Sequence, residues 1–98
     1  MKKALTEDAT ENGKFKSVEI LHEWLSYGHE YGFLYKGKEY FINNGFIPGT
    51  EKLDLRVAMI DDGTFAAYNS VDELFDTFIV DGKSFREFMF DVTVEDEF

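Results

Sequence analysis

Ninety-eight residues with a formal net charge of −10, 44% hydrophobic and 17% aromatic positions and no cysteine allow one small domain with its own core and exclude a disordered acidic tail. Without thiols there is no disulfide framework, thiolate metal site or cysteine nucleophile, and a reducing cytoplasm is the expected compartment. So acidic a surface repels nucleic acid and anionic lipid, so neither direct nucleic-acid binding nor membrane association is expected.

The chain opens Met1-Lys2-Lys3-Ala4-Leu5 and runs at once into Thr6-Glu7-Asp8. It lacks the apolar stretch of a signal peptide, so export by that route is not expected. Residues 1–13 read as a flexible N-terminal segment and 14–98 as a single domain. Ser17 is a plausible N-cap, and Val18, Leu21, Trp24 and Leu25 recur at helical spacing, which predicts a helix over 17–27 ended by a left-handed Gly28. Tyr31, Phe33 and Tyr35 alternate with smaller neighbours, and Lys36-Gly37-Lys38 turns them back into Glu39-Tyr40-Phe41-Ile42, a hairpin over 30–43.

Asn43-Asn44-Gly45 and Pro48-Gly49 predict a loop. Leu53, Leu55, Val57 and Met59 then alternate with Asp54, Arg56, Ala58 and Ile60, a half-buried strand that Asp61-Asp62-Gly63 turns into Thr64–Tyr68. Ser70 with Glu73 and Ser84 with Glu87 have the spacing of capping boxes and predict two further short helices separated by an Asp81-Gly82 turn. Val71, Leu74, Phe75 and Phe78 form the apolar face of one, Phe85, Phe88 and Met89 that of the other. Val92–Val94 read either as a final strand or as an extended tail. Together these elements predict an α+β fold, an antiparallel sheet of four to five strands built from two hairpins with three helices. One sheet face is expected to carry the helices, and the other, left in water, is the candidate binding surface.

The segments Tyr35-Lys36-Gly37-Lys38-Glu39-Tyr40, Val71-Asp72-Glu73-Leu74 and Asp81-Gly82-Lys83-Ser84, in this order after the helix, resemble small uncharacterised proteins of Gram-positive bacteria and their phages. That resemblance spans about residues 17–90 and implies no activity or catalytic residue. In acidity and size the chain is also similar to phage-encoded inhibitors of the anti-CRISPR type, a likeness of composition.

Chemistry-bearing motifs are few. His22 and His29 each precede a glutamate, but their spacing matches no helical metal motif, so both read as structural and no metal or cofactor is expected. Asp61-Asp62-Gly63 lacks the staggered acids of a calcium loop and reads as a turn. Asp72 with Asp81-Gly82-Lys83 loosely resembles the carboxylates and lysine of metal-dependent nucleases, yet acids outnumber bases around it, which a polyanionic substrate would not tolerate. Tyr35, Lys36, Lys38 and Tyr40 are the single local mixture of aromatic and basic residues, and cross-strand packing explains them better than base stacking. No phosphate-binding glycine loop or nucleophile elbow occurs, and no catalytic residue is assigned.

The acids are distributed unevenly. Residues 1–49 hold six lysines and seven carboxylates, whereas residues 50–98 hold four bases and thirteen carboxylates. Asp72, Glu73, Asp76, Asp91, Glu95, Asp96 and Glu97 are the candidate partner-binding residues. Asp72 and Asp76 share a helix face, a like-charge pair that costs roughly 0.2–0.5 kcal/mol. Acids along one edge could coarsely approach the charge density of a duplex, about one per 1.7 Å. One reading is a solvated surface that keeps a Phe-rich protein soluble. The sharper one is a non-enzymatic module that binds a basic protein surface and, as a nucleic-acid mimic, inhibits a DNA- or RNA-binding protein. The alternative is a small enzyme or ligand-binding domain using a pocket between the sheet and the Trp24 helix. The oligomeric state is left open.

Overall fold

The computed structural model describes residues 7–98. The Ser17 hydroxyl accepts from the Ile20 amide at 3.0 Å and starts helix α1, Val18–Ser26. Its apolar stripe buries Leu21 and Leu25 completely. The helix stops where expected, with Tyr27 as C-cap and Gly28 at φ +91°, a left-handed position that costs a residue with a Cβ more than glycine.

Five antiparallel strands form the main sheet: β3 Tyr31–Tyr35, β4 Lys38–Phe46, β5 Leu53–Met59, β6 Thr64–Tyr68 and β9 Thr93–Glu97, in the spatial order β6-β5-β4-β3-β9. Two further pairs are small hairpins, β1 Thr10–Glu11 with β2 Lys14–Phe15, and β7 Ile79–Val80 with β8 Lys83–Ser84. With helices α2 Val71–Thr77 and α3 Phe85–Phe88, the described residues make the α+β fold that the sequence predicts. Val92–Val94 lead into a true strand, since β9 pairs with β3 from Leu34 opposite Thr93 to Tyr31 opposite Glu97.

Two expectations meet a different local structure. Of the segment expected to be flexible, 1–13, residues 1–6 lie outside the described residues, and 7–13 lead into a hairpin that packs on the domain. Asn12 and Gly13 both take left-handed dihedrals (φ 54° and 75°) and close β1 onto β2. Ala9 and Phe15 are then 2% and 3% exposed, and the Phe15 ring packs edge-on to Tyr31, Phe33 and Phe85 at 5.4, 6.4 and 6.1 Å. Aromatic burial on this scale holds a short hairpin in place. The second concerns Asn43-Asn44-Gly45, which continue β4 rather than open a loop. Asn44 is 6% exposed, and its Nδ2 donates to the carbonyls of Leu25 (2.6 Å) and His29 (3.1 Å) at and beyond the end of α1. Those tertiary bonds outweigh the turn preference of asparagine.

The core lies between the inner sheet face and the three helices. Tyr31, Phe33, Tyr35, Tyr40, Ile42, Leu55 and Val57 point inward from the sheet at period two and meet Leu21, Leu25, Leu74, Phe75, Phe85 and Phe88 in one cluster. Phe85 is its centre, with ring centroids of Phe33, Phe75, Phe78 and Phe88 between 5.4 and 5.7 Å away. Among the described residues no helix is long and apolar enough to cross a membrane.

Candidate functional site

Because the helices occupy one sheet face, the residues of opposite parity form a second face with no element of the described residues over it. The registers align Phe65, Ala58, Phe41, Gly32 and Asp96 in one row across all five strands, with Ala67, Arg56 and Asn43 in the row beside it. Phe65 is 61% exposed and Phe98 67%, while Phe98 also packs on the half-buried Phe41 at 5.9 Å. Arg56 lies 5.2 Å over the Phe65 ring and is held by Asp54 at 3.0 Å. Gly32 is needed here for space: a Cβ would stand 3.1 Å from Asp96 Oδ2 and 3.2 Å from Phe41 Cδ1. The open face is therefore shallow, aromatic at its centre and acidic at its β9 border.

The seven candidate acids fall into separate groups. On α2, Asp72 Oδ1 lies 3.1 Å from His22 Nε2, and the His22 ring stacks on Phe75. Glu73 is consumed by helix capping: its amide donates to Ser70 Oγ at 3.0 Å, and its carboxylate accepts from the Asn69 amide, one residue before the expected partner. Asp76 accepts from Arg86 Nε at 2.9 Å and raises the guanidinium's affinity for its proton. The acidic face of this helix thus meets an imidazole from α1 and a guanidinium from α3. Asp91 stands in a 3-10 turn after α3 and adds to the field on Lys36.

The remaining three are on β9, an edge strand with no base of its own. A register shift at Glu95 sends Asp96 to the open face over Gly32 and sets Glu97 opposite Tyr31. Glu97 accepts from the Thr10 hydroxyl at 2.8 Å. Glu95 and Asp96 have no ion pair among the described residues. The structure therefore brings Glu95, Asp96 and Glu97 onto one edge and leaves Asp72, Glu73 and Asp76 on another element, each with a partner.

Where the hairpin β1-β2 meets α1 and this edge lies a cavity of about 240 Å³ lined by Asp8, Trp24, His29, Tyr31, Glu97 and Phe98. Trp24 Nε1 donates to the Glu7 carbonyl at 2.8 Å, and the His29 ring stands edge-on to the indole at 4.3 Å. Reciprocal backbone bonds between Glu30 and Phe98, 3.0 and 2.8 Å, hold the wall at Phe98. Burial above all, then Glu97 and Asp8, pushes the Tyr31 phenol well above its ordinary ionisation range, so it stays a neutral hydroxyl. Sequence reasoning missed Asp8 by assigning it to a flexible segment. The Asn12-Gly13 pair, a type I′ hairpin signature, is the signal that finds it. Among the described residues no three His, Asp or Glu side chains converge as metal ligands would. Compared with protein-family models, with curated proteins and with solved structures, the chain matches none.

Proposed function

We propose that this protein is a non-enzymatic binding module that engages a basic protein surface through the acidic β9 edge. The observation that supports the reading is the partition of the acids: Asp76 is paired with Arg86 and Asp72 is hydrogen-bonded to His22, whereas Glu95 and Asp96 carry no ion pair among the described residues. Unmatched charge steers a cationic partner over about one Debye length, roughly 8 Å at physiological salt. The exposed ring of Phe98 beside it, with Phe65 at the far edge of the same sheet, supplies apolar area for contact once the partner arrives. In its sharper form the module occupies the nucleic-acid site of a cytoplasmic DNA- or RNA-binding protein and inhibits it, and the β9 acids then stand in for phosphates.

The test is capture from a lysate of the source cell with the wild-type chain, with Glu95→Gln, Asp96→Asn, Glu97→Gln together, and with Asp72→Asn, Asp76→Asn together. The expected result is a basic protein that salt releases and nucleic acid displaces, lost with the β9 triple variant and retained with the α2 double variant. Equal capture by wild type and the β9 variant would refute the reading. Capture resistant to competing nucleic acid would refute its mimic form.

A further inference from the structure

The cavity beside Trp24 has a chemistry that the acidic edge alone does not explain. Its walls bring two carboxylates, Asp8 and Glu97, together with the rings of Trp24, Tyr31 and His29, and among the described residues no lysine or arginine lines it. Tyr31 is 2% exposed, yet no described residue gives its hydroxyl a hydrogen-bond partner, and that hydroxyl feels both carboxylates. Tyr31 lines the cavity, so a group that fills it can bond that hydroxyl.

We propose that this cavity is a binding site for a primary ammonium group carried on an alkyl stem. An ammonium has three donors and no acceptor, which matches the carboxylate of Asp8, the oxygen of Glu97 not used by Thr10, and the Tyr31 hydroxyl. Aromatic faces attract the same cation through their quadrupole and give its methylenes an apolar wall. A quaternary ammonium would satisfy the rings but no hydrogen-bond acceptor. A bare divalent ion needs converging ligands, which the side chains here do not form. The volume, about 240 Å³, is below the roughly 300–1,000 Å³ of pockets for drug-sized molecules, and it suits one side chain or a small amine.

The site goes beyond the β9 reading and can be tested apart from it, because Trp24 is the single tryptophan and lines the cavity. Trp24 fluorescence is titrated at constant ionic strength with n-butylamine, with N-acetyl-lysine N-methylamide and with butan-1-ol. The titrations use wild type, Tyr31→Phe and Glu97→Gln, each checked for fold by circular dichroism. They are repeated with Lys2→Ala, Lys3→Ala so that the chain's own amines cannot compete. A saturable change with the two amines and none with the alcohol is expected, weakened about tenfold by either cavity variant, the factor for one hydrogen bond to a charged group. Tighter binding of the lysine derivative identifies a protein side chain as the source, and tighter binding of butylamine a free amine. No saturation, an equal response to butan-1-ol, or unchanged affinity in both cavity variants would overturn the proposal.

Discussion

Asn44 is the most exacting test of how the sheet is joined to α1. Its Nδ2 donates to Leu25 O and His29 O, and its own amide donates to Glu30 Oε2 at 2.9 Å. Its Oδ1 is buried with no partner among the described residues. Asn44→Ala removes two hydrogen bonds, each with a net value of about 0.5–1.5 kcal/mol. It also removes the unpartnered oxygen, which returns part of that total, so the expected cost is about 1–2 kcal/mol. Asn44→Asp keeps the shape but sets a carboxylate against two carbonyl oxygens and near the Glu30 carboxylate, an uncompensated buried charge worth about 3–5 kcal/mol. Folding would raise the pKa of the introduced carboxyl group, so its charge penalty should vanish below the unfolded value near 3.9 and grow as pH rises from there to the folded value. Urea unfolding followed by Trp24 fluorescence measures both, and with a slope of about 1–3 kcal/mol/M a loss of about 2 kcal/mol moves the midpoint by about 0.7–2 M. Equal costs for the two variants at pH 7, or a difference that does not shrink toward pH 4, would refute the assignment of Asn44 as the donor that joins α1 to β4.

Phe85→Ala empties the centre of the aromatic cluster and should cost about 3–5 kcal/mol, much of the roughly 5–15 kcal/mol that holds a small domain; a loss under about 1 kcal/mol in denaturant melts would show that the cluster is not cooperative. The Glu87 carboxylate accepts from the Ser84 amide and hydroxyl at 3.0 and 3.1 Å, and the amide bond is the larger cause that holds its pKa below the usual range. A depressed carboxylate contributes stability above its unfolded pKa of about 4.3 and loses it as pH falls through the folded value. Glu87→Gln should therefore flatten the acid limb of thermal stability between about pH 5 and 3, and an unchanged slope in scanning calorimetry would contradict the capping geometry.

Elements whose causes are local were legible in the sequence. Ser17, Gly28 and the apolar stripe between them define α1 to within a residue, because cap, stripe and stop all act inside one segment. Lys36-Gly37 and Asp81-Gly82 close two-residue turns with both dihedrals left-handed, as such pairs favour. What escaped depends on distant partners. Asn44 looks like a turn residue until the carbonyls of Leu25 and His29 are brought to it. Glu73 has the spacing to reach Ser70 but bonds Asn69, since the helix entry sets which amide faces the carboxylate. The candidate site was legible by half. Alternation predicts the open sheet face, while nothing in the spacing of Asp72 and Asp76 announces His22, fifty residues earlier, or Arg86 on the next helix.

Charge alone is a weak argument for a binding surface, because exposed acids also protect a sheet edge from pairing with another chain. That protective role accounts for Glu95, which lies at the register shift, next to the Val94 amide that donates to the Gly13 carbonyl at 2.8 Å. It does not account for the two other β9 acids. Asp96 is turned over Gly32 onto the open face, where it cannot block the backbone edge, and Glu97 is turned inward beside Tyr31 and Trp24. Edge protection requires charge near the unpaired amides and carbonyls, and it is indifferent to aromatic neighbours. Recognition of a cation requires a carboxylate beside a hydrophobic wall, where a lower local dielectric strengthens the attraction. Asp96 stands by Phe41 and Glu97 lines one cavity with Trp24, although both carboxylates are exposed. The binding proposal therefore rests on the aromatic neighbours of these two acids and not on the net charge of the chain.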